Sequence, residues 1–387
     1  MILFYFNGAA DRTHRRVPKK IARAVDQGAA LFCAALPQST GIYSGFTVDE
    51  SYYSYLGDQG LAPARLTMRT EGYQHGDAWS MNGSGRRFLT QHTLSYAAPP
   101  VECVHWCNSR VFAHEVQRRH RLGVPGSRPI SSLEEFRTAW RSAPSCVLKP
   151  NHGNAGGHFF TLTAHTPAVS VEGPLEAALA RGECFFFEPW KNIVCDIATK
   201  LSISSVGAVE IHGHHRNWCN RNGAFYANSI SADDTTIAAW KPPLDDMARS
   251  VGGELFAAGY FGPVGIDSFL YEEGGSLRAA FAIDINARHT ISTISYGIRE
   301  KRAGARAVLY RFIAKRRHRL PDTYTALQSC LRAGFAPWEM PLLTTPLRMY
   351  SPDGGWVQPA RSAFYLEGES QDELLEKDER LRRCILK

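Results

Sequence analysis

Asp267, Asp284, Asn286 and Arg288 are the residues whose types and spacing point first to chemistry. Asp284 and Asn286 stand two apart in "FAIDINAR", Phe281 to Arg288. On a strand, side chains two apart point to the same face. An Asp oxygen and an Asn oxygen on one face can bind Mg²⁺, a hard cation that prefers oxygen ligands. Arg288 continues that face. Asp267 lies in "GPVGIDSFLYEE", and Gly274-Gly275 separates this run from "LRAAFAIDINAR". The glycine pair reads as a hairpin turn, and antiparallel pairing can bring Asp267 beside Asp284. Two buried carboxylates side by side repel unless a cation neutralises them. The alternative, a solvated hairpin face, fits poorly with a stretch as apolar as "AFAIDIN".

A second constellation is "CVLKPNHGNAGGHFF", Cys146 to Phe160. It is not a Walker A loop, because Lys149 precedes the glycines and the flanks read as strands. A strand-borne lysine still supplies a positive charge. Gly153, Gly156 and Gly157 let backbone N–H groups approach an anion closely. Taken alone, an ordinary hairpin with a surface lysine fits the stretch equally well.

Other stretches carry weaker signals. "EIHGHHRNWCNRNG" holds His212, His214, His215 and Cys219, with His212 and His214 expected on one strand face. A fourth ligand and a repeated spacing for zinc are missing, so a polar loop or part of an acceptor pocket is the preferred reading. "CVHWC", Cys103 to Cys107, reads as a buried strand rather than a redox or metal pair. "WSMNGSGRRFLTQHT" reads as a loop, with Arg86 and Arg87 available to an anion. Lys301 to Arg319 holds eight Lys/Arg and no acid. It ends in "IAKRRHR" after an expected helix through Val308, Leu309, Phe312 and Ile313. No nucleic-acid-binding module accompanies it, and a solvated helix end is the plainer reading.

The elements that must position these residues follow from pattern and punctuation. "NSRVFAHEVQRRHRLGVPGSRPI" predicts a helix stopped by Gly123 and Pro125. "SSLEEFRTAWRSA" predicts a short helix, capped by Ser131 or Ser132 with Glu134 or Glu135 closing a capping box. "CVLKP", "HFFTLT" and "CFFFEPW" read as strands, as do "DIATKLSISSVGAVEIHG" and "GAFYANSIS". Leu244, Met247, Ala248, Val251 and Leu255 form one helix face ending near Gly259. The whole is an α+β pattern of antiparallel sheets with flanking helices. The 387 residues suffice for two or three domains. The start, "MILFYFNGAADRTHRR", reads as a first strand and an Asn-Gly turn rather than a signal peptide. No run approaches the roughly 20 apolar residues of a membrane span. Nine scattered cysteines without a CxxC pair suit reduced thiols and a cytoplasmic location. The formal net charge of +7 admits an anionic partner or substrate.

From Asn108 to Arg288 the motifs, in order, resemble the ATP-grasp superfamily, which includes D-alanine–D-alanine ligase and biotin carboxylase. The resemblance implies two α+β lobes clasping ATP, preceded by an N-terminal α/β pre-ATP-grasp domain. The expected division is 1–107 for that domain, 108–187 and 188–300 for the two lobes, and 301–387 for a helical C-terminal extension. Arg110 in "NSR" stands where members usually carry a lysine that reaches the nucleotide phosphates. "VLKPNHGNAGG" resembles the second lysine, Lys149, and the glycine loop that closes over the phosphates. "FFFEPW" resembles the hinge, with Glu188, Pro189 and Trp190 presenting backbone groups to adenine and Asp196 meeting the ribose hydroxyls. Lys200 is a candidate for a phosphate or carboxylate contact. Asp267, Asp284 and Asn286 match the Mg²⁺ ligands, although many members have Glu at the Asp284 position. Arg288 matches an arginine that stabilises the acyl phosphate or tetrahedral intermediate.

The activity so implied is a Mg·ATP-dependent carboxylate–amine ligase acting on an amino acid, peptide or natural-product intermediate. A kinase on the same scaffold and a non-catalytic nucleotide-binding partner protein are the alternatives. A homodimer is expected from the resemblance; a membrane partner and a nucleic acid are not.

Overall fold

A computed structural model describes residues 1–8, 19–153, 160–220, 223–302, 304–314 and 320–386. Gly156, Gly157 and the basic run 315–319 lie outside the described residues.

The first apolar run forms β1 (Ile2–Tyr5), followed by α1 (Lys19–Gly28), β2 (Thr40–Tyr43), α2 (Glu50–Asp58), β3 (Arg65–Thr67), β4 (His75–Ala78) and α3 (Gly83–Gln91). The four strands make a parallel sheet in the order β3-β2-β1-β4. β2 and β4 flank β1 on opposite sides, so the strand order reverses between β1 and β4. In open α/β sheets that reversal opens a crevice beyond the strands' carboxyl ends. α3 occupies the stretch expected to be a loop. Asn82 caps it by accepting from the Ser84 and Gly85 N–H groups, which offsets the helix cost of Gly83 and Gly85.

α4 (Val101–Cys107) follows Pro99-Pro100. It corrects the strand expected for "CVHWC". Cys103 and Cys107 sit one turn apart with their sulfurs at 3.8 Å, both as free thiols. α5 (Arg110–His120) ends at Arg121, in the left-handed conformation just before Gly123. Next come β5 (Arg128–Ile130), α6 (Leu133–Ser142), β6 (Cys146–Pro150), β7 (Phe160–Leu162), α7 (Val169–Leu179) and β8 (Phe185–Pro189). The capping box of α6 is Ser132 with Glu135. These strands form a second sheet, antiparallel, in the order β5-β8-β6-β7. It packs on α6 and α7 through Phe136, Leu148, Leu175 and Phe187.

The remaining chain runs through β9 (Asn192–Ile203), β10 (Val209–Cys219), β11 (Phe225–Ser231), α8 (Thr235–Ala257), β12 (Gly262–Glu273), β13 (Ser276–Asn286), α9 (Ser292–Lys301) and β14 (Ala307–Ala314). It ends with α10 (Tyr324–Leu331), β15 (Leu342–Leu343), β16 (Met349–Tyr350), β17 (Trp356–Val357), β18 (Arg361–Gly368) and α11 (Gln371–Ile385). One eight-stranded sheet has the order β13-β12-β9-β10-β11-β14-β18-β15. β14 lies where a helix was expected, and the region after residue 300 is a mix of strands and helices rather than helical. Its strands continue the same sheet and pack on the N-terminal region: Phe4, Phe32 and Tyr52 share one core with Tyr310, Phe364 and Tyr365. α8 covers the other part of the sheet, where Ile197, Leu201, Ile266 and Ile285 meet Leu244, Met247 and Val251. No helix among the described residues is long and apolar enough to cross a membrane.

Candidate active site

The alternation of β9, β12 and β13 decides what faces the cleft. Cys195, Ile197, Leu201, Ile266 and Ile285 point toward α8. Asp196, Ala198, Lys200, Asp267, Asp284 and Asn286 therefore point the other way. β12 and β13 pair so that Asp267 stands directly opposite Asp284. Asn286 Nδ2 donates to Asp267 at 3.1 Å, and Asn217 Nδ2, on β10, donates to its other oxygen at 3.4 Å. Burial, and next the Asp284 charge, push the Asp267 carboxyl up to about 7, with Arg288 and Asn286 acting in the opposite direction. Arg288 Nη2 donates to Asn286 Oδ1 at 2.6 Å, so the four residues form one linked group.

Arg110 is buried and spans two parts of the site. It donates through Nη1 to the Pro150 carbonyl at 2.6 Å and through Nη2 to Asp284 at 3.3 Å. Its backbone N–H donates to the Asn151 carbonyl at 3.0 Å. The start of α5 thus anchors the segment that follows Lys149. Gly153 lies close by: a Cβ built on it would come within 3.4 Å of Arg110 Nη1. Lys149 pairs with the Glu188 carboxylate at 2.7 Å, both side chains being largely buried. The Glu188 side chain is therefore engaged by the lysine from the neighbouring strand, a contact that sequence spacing did not reveal. Pro189 ends β8, and Trp190 beyond it is exposed. Asp196 is raised by burial, and the Cys219 thiol and Lys149 both act to lower it. Cys219 is itself pushed up to about 12 by burial and then by Asp196 and Asp267.

A small cleft opens beside this group. Asp284, Asn286 and Arg288 line one side. Ser80, Asn82, His105, Asn108, His152 and Gly153 line the rest. Ser80 and Asn82 come from the crevice end of the parallel sheet, so the N-terminal region closes the cleft. His105 and His152 stack with ring centroids 4.1 Å apart. His289, next to Arg288, ties the walls together. Its backbone N–H donates to the Trp79 carbonyl at 3.0 Å and its Nε2 meets Asp77 at 3.1 Å.

The histidine run does not act as a unit. A bulge between Ile211 and Gly213 shifts the register of β10 against β9. His212 meets Ser202 on the cleft side. His214 turns to the other side, between Thr199 at 2.9 Å and Asp245 at 2.8 Å. His212 and His214 therefore do not share a face, as spacing alone had suggested. Among the described residues no group of three or more His, Cys, Asp or Glu is placed to hold a metal. The Asp267–Asp284–Asn286 set has two carboxylates and an amide. The two carboxylates fit a hard divalent cation that keeps several waters, and Asn286, whose Nδ2 faces Asp267 and whose Oδ1 accepts from Arg288, would have to turn its oxygen toward the cation to join them.

This architecture is the ATP-grasp fold. The particular structures it is similar to include N5-carboxyaminoimidazole ribonucleotide synthetases and a biotin carboxylase. N5-carboxyaminoimidazole ribonucleotide synthetase from Thermus thermophilus superposes with a TM-score of 0.57 at 15% identity, over 99% of this chain and 98% of that one. The ADP complex of the Staphylococcus aureus synthetase gives 0.56 at 9% identity, over 98% and 96%. Biotin carboxylase from Campylobacter jejuni gives 0.59 at 12% identity, over 99% and 91%. No protein-family model and no curated protein matches the sequence.

Proposed function

We propose that the protein is a Mg·ATP-dependent ligase that activates a substrate carboxylate as an acyl phosphate and joins it to an amine. The observation that carries this reading is the Asp267–Asp284 pair, linked through Asn286 to Arg288, with Asp284, Asn286 and Arg288 lining the cleft. Similar folds have been solved with ADP, with ATP and with MgADP, which supports a nucleotide in this cleft. Asp267, Asp284 and Asn286 would hold the cation, which supplies neutralisation of the phosphate charge when bound. Lys149 is the strand-borne cation for the phosphates. A triphosphate that enters must draw it from Glu188. Glu188, Pro189 and Trp190 form the hinge, and Asp196 faces the ribose. Arg110 steadies both the loop after Lys149 and Asp284. Arg288 adds positive charge where the carboxylate attacks the γ-phosphate and two anions must approach. An amine then displaces phosphate from the acyl phosphate. The substrates on this reading are a small-molecule or peptide carboxylate and an amine.

The test is mass spectrometry of products after incubation with Mg·ATP and a metabolite extract, with Lys149→Ala as control. The expected product equals two metabolites minus water, formed together with ADP by the wild type alone. A metabolite carrying an added phosphoryl group would replace the ligase with a kinase. Unimpaired turnover by Lys149→Ala would remove the nucleotide assignment.

A further inference from the structure

Beyond the Asp267–Asp284 row, the cleft face of the large sheet carries three polar groups that the proposed reaction does not yet use. Lys200 lies two residues past Ala198, which pairs with Asp267 across β9 and β12. At about 3.3 Å per residue, that puts it about 7 Å farther from the hinge end of β9. Its ammonium makes no hydrogen bond or ion pair with another described residue. It lies 5.2 Å from the centroid of the Tyr296 ring. Tyr296, on α9, also takes the His215 ring edge-on at 5.6 Å and 74°. His215 is 2% exposed. The Tyr296 hydroxyl and His215 Nδ1 are both buried without a hydrogen-bond partner. Gly213, which pairs with Lys200 across β9 and β10, leaves the room: a Cβ there would sit 2.8 Å from the Tyr296 hydroxyl.

Unsatisfied buried polar groups cost stability unless something pairs with them. Here a cation, a phenol and a neutral imidazole stand together. Burial lowers the Lys200 ammonium and holds His215 down at about 3, so the imidazole is uncharged. Each of the three can donate a hydrogen bond, and one of them is charged, so the complement is an anion with several acceptor oxygens. Glu210 and Glu300 are the nearest acids, both exposed and neither within ion-pair distance. We infer that Lys200, His215 and Tyr296 form a subsite for a carboxylate group of the substrate, on the far side of the metal row from the nucleotide hinge. The assignment rests on the ATP-grasp active-site reading above.

The test uses the full-length protein with Mg·ADP, titrated with acetate, glycine, succinate and glutamate by ligand-observed NMR. The expected result is saturable binding of at least one carboxylate to the wild type. Lys200→Met should weaken it about tenfold or more, Tyr296→Phe should weaken it several-fold, and Lys200→Arg should retain it. Mg·ADP affinity should be the same in the wild type and in Tyr296→Phe. Without carboxylate, Lys200→Met should also melt higher than the wild type, because a lysine awaiting a ligand destabilises the empty site. Carboxylate binding indifferent to both substitutions, no carboxylate binding, or a lower melting temperature for Lys200→Met would overturn the subsite and leave a structural cluster around ordered water only. Failure of the wild type to bind Mg·ADP would instead overturn the nucleotide reading beneath it.

Discussion

At the scale of single residues, the sheet buries Asp267 and sets it opposite Asp284, and burial first, then the Asp284 charge, raises its carboxyl. Its folded-state pKa, about 7, lies above the ordinary aspartate value of about 3.9. The folded protein therefore holds a proton there that the unfolded chain has already released. The sign follows from linkage: stability is greatest below the unfolded value and falls as pH rises toward about 7. Asp267→Asn should flatten that slope. It should also raise the metal-free melting temperature at neutral pH by a few degrees, the scale of ~1–2 kcal/mol, while Mg·ATP-dependent turnover falls. Calorimetry across pH, beside an ADP-release assay, checks both halves. A wild type whose stability rises from pH 4 to 7 while Asp267→Asn stays parallel to it would refute the raised Asp267 carboxyl.

At the scale of elements, α8 depends on one aspartate. Asp234 caps it by accepting from the Ile237 N–H at 3.0 Å and receives Arg216 Nη2 from β10 at 2.9 Å. Burial alone would raise the Asp234 carboxyl, but Arg216 and the helix N–H groups outweigh it and hold it below its ordinary value. This contribution is present above the unfolded value of about 3.9 and is lost as pH falls through the depressed one. Asp234→Ala leaves Arg216 without its partner and should cost ~3–5 kcal/mol in urea unfolding at pH 7. The loss should shrink in strong acid. A difference under ~1 kcal/mol at pH 7 would mean that water replaces the carboxylate. Elements with clear punctuation were legible from sequence. Gly274-Gly275 announced the β12–β13 hairpin, and the capping serine announced α6. Others were hidden for physical reasons. β14 is buried on both faces, and its run "AVLYRFIA" satisfies a helical spacing at Val308, Leu309, Phe312 and Ile313 as well as a strand. α4 is only seven residues long, too short for periodicity to separate helix from strand, so "CVHWC" looks like a strand although it is one short helix. In the site, Asp267, Asp284 and Asn286 were readable because a hairpin brings them together locally. Arg110 on Asp284, Glu188 on Lys149, and Tyr296 on His215 meet only through tertiary packing, and no spacing along the chain encodes those contacts. The bulge at His212 shifts a register by one residue, which the sequence of the strand does not announce.

At the scale of the whole molecule, the first and last thirds of the chain share a core. Tyr52 donates to the Thr344 carbonyl at 2.7 Å, the Leu343 N–H donates to Tyr55 at 3.0 Å, and Lys301 donates to the Ala62 carbonyl at 3.0 Å. The parallel sheet and the far end of the eight-stranded sheet should therefore unfold together. Hydrogen exchange should give amides of β1 and β18 the same opening free energy, and Phe364→Ala should lower both by ~3–5 kcal/mol. Separate opening of β1 would show that the N-terminal region stands alone. The shared core also has a consequence for synthesis. A ribosome adding roughly 5–20 residues per second needs roughly tens of seconds between releasing β4 and releasing β18. Throughout that interval Phe4, Phe32 and Tyr52 lack the aromatic partners that complete their packing. The nascent chain thus carries an unfinished, sticky face for most of its translation, and its yield in a cell should depend on holdase chaperones that shield that face until the last strand arrives.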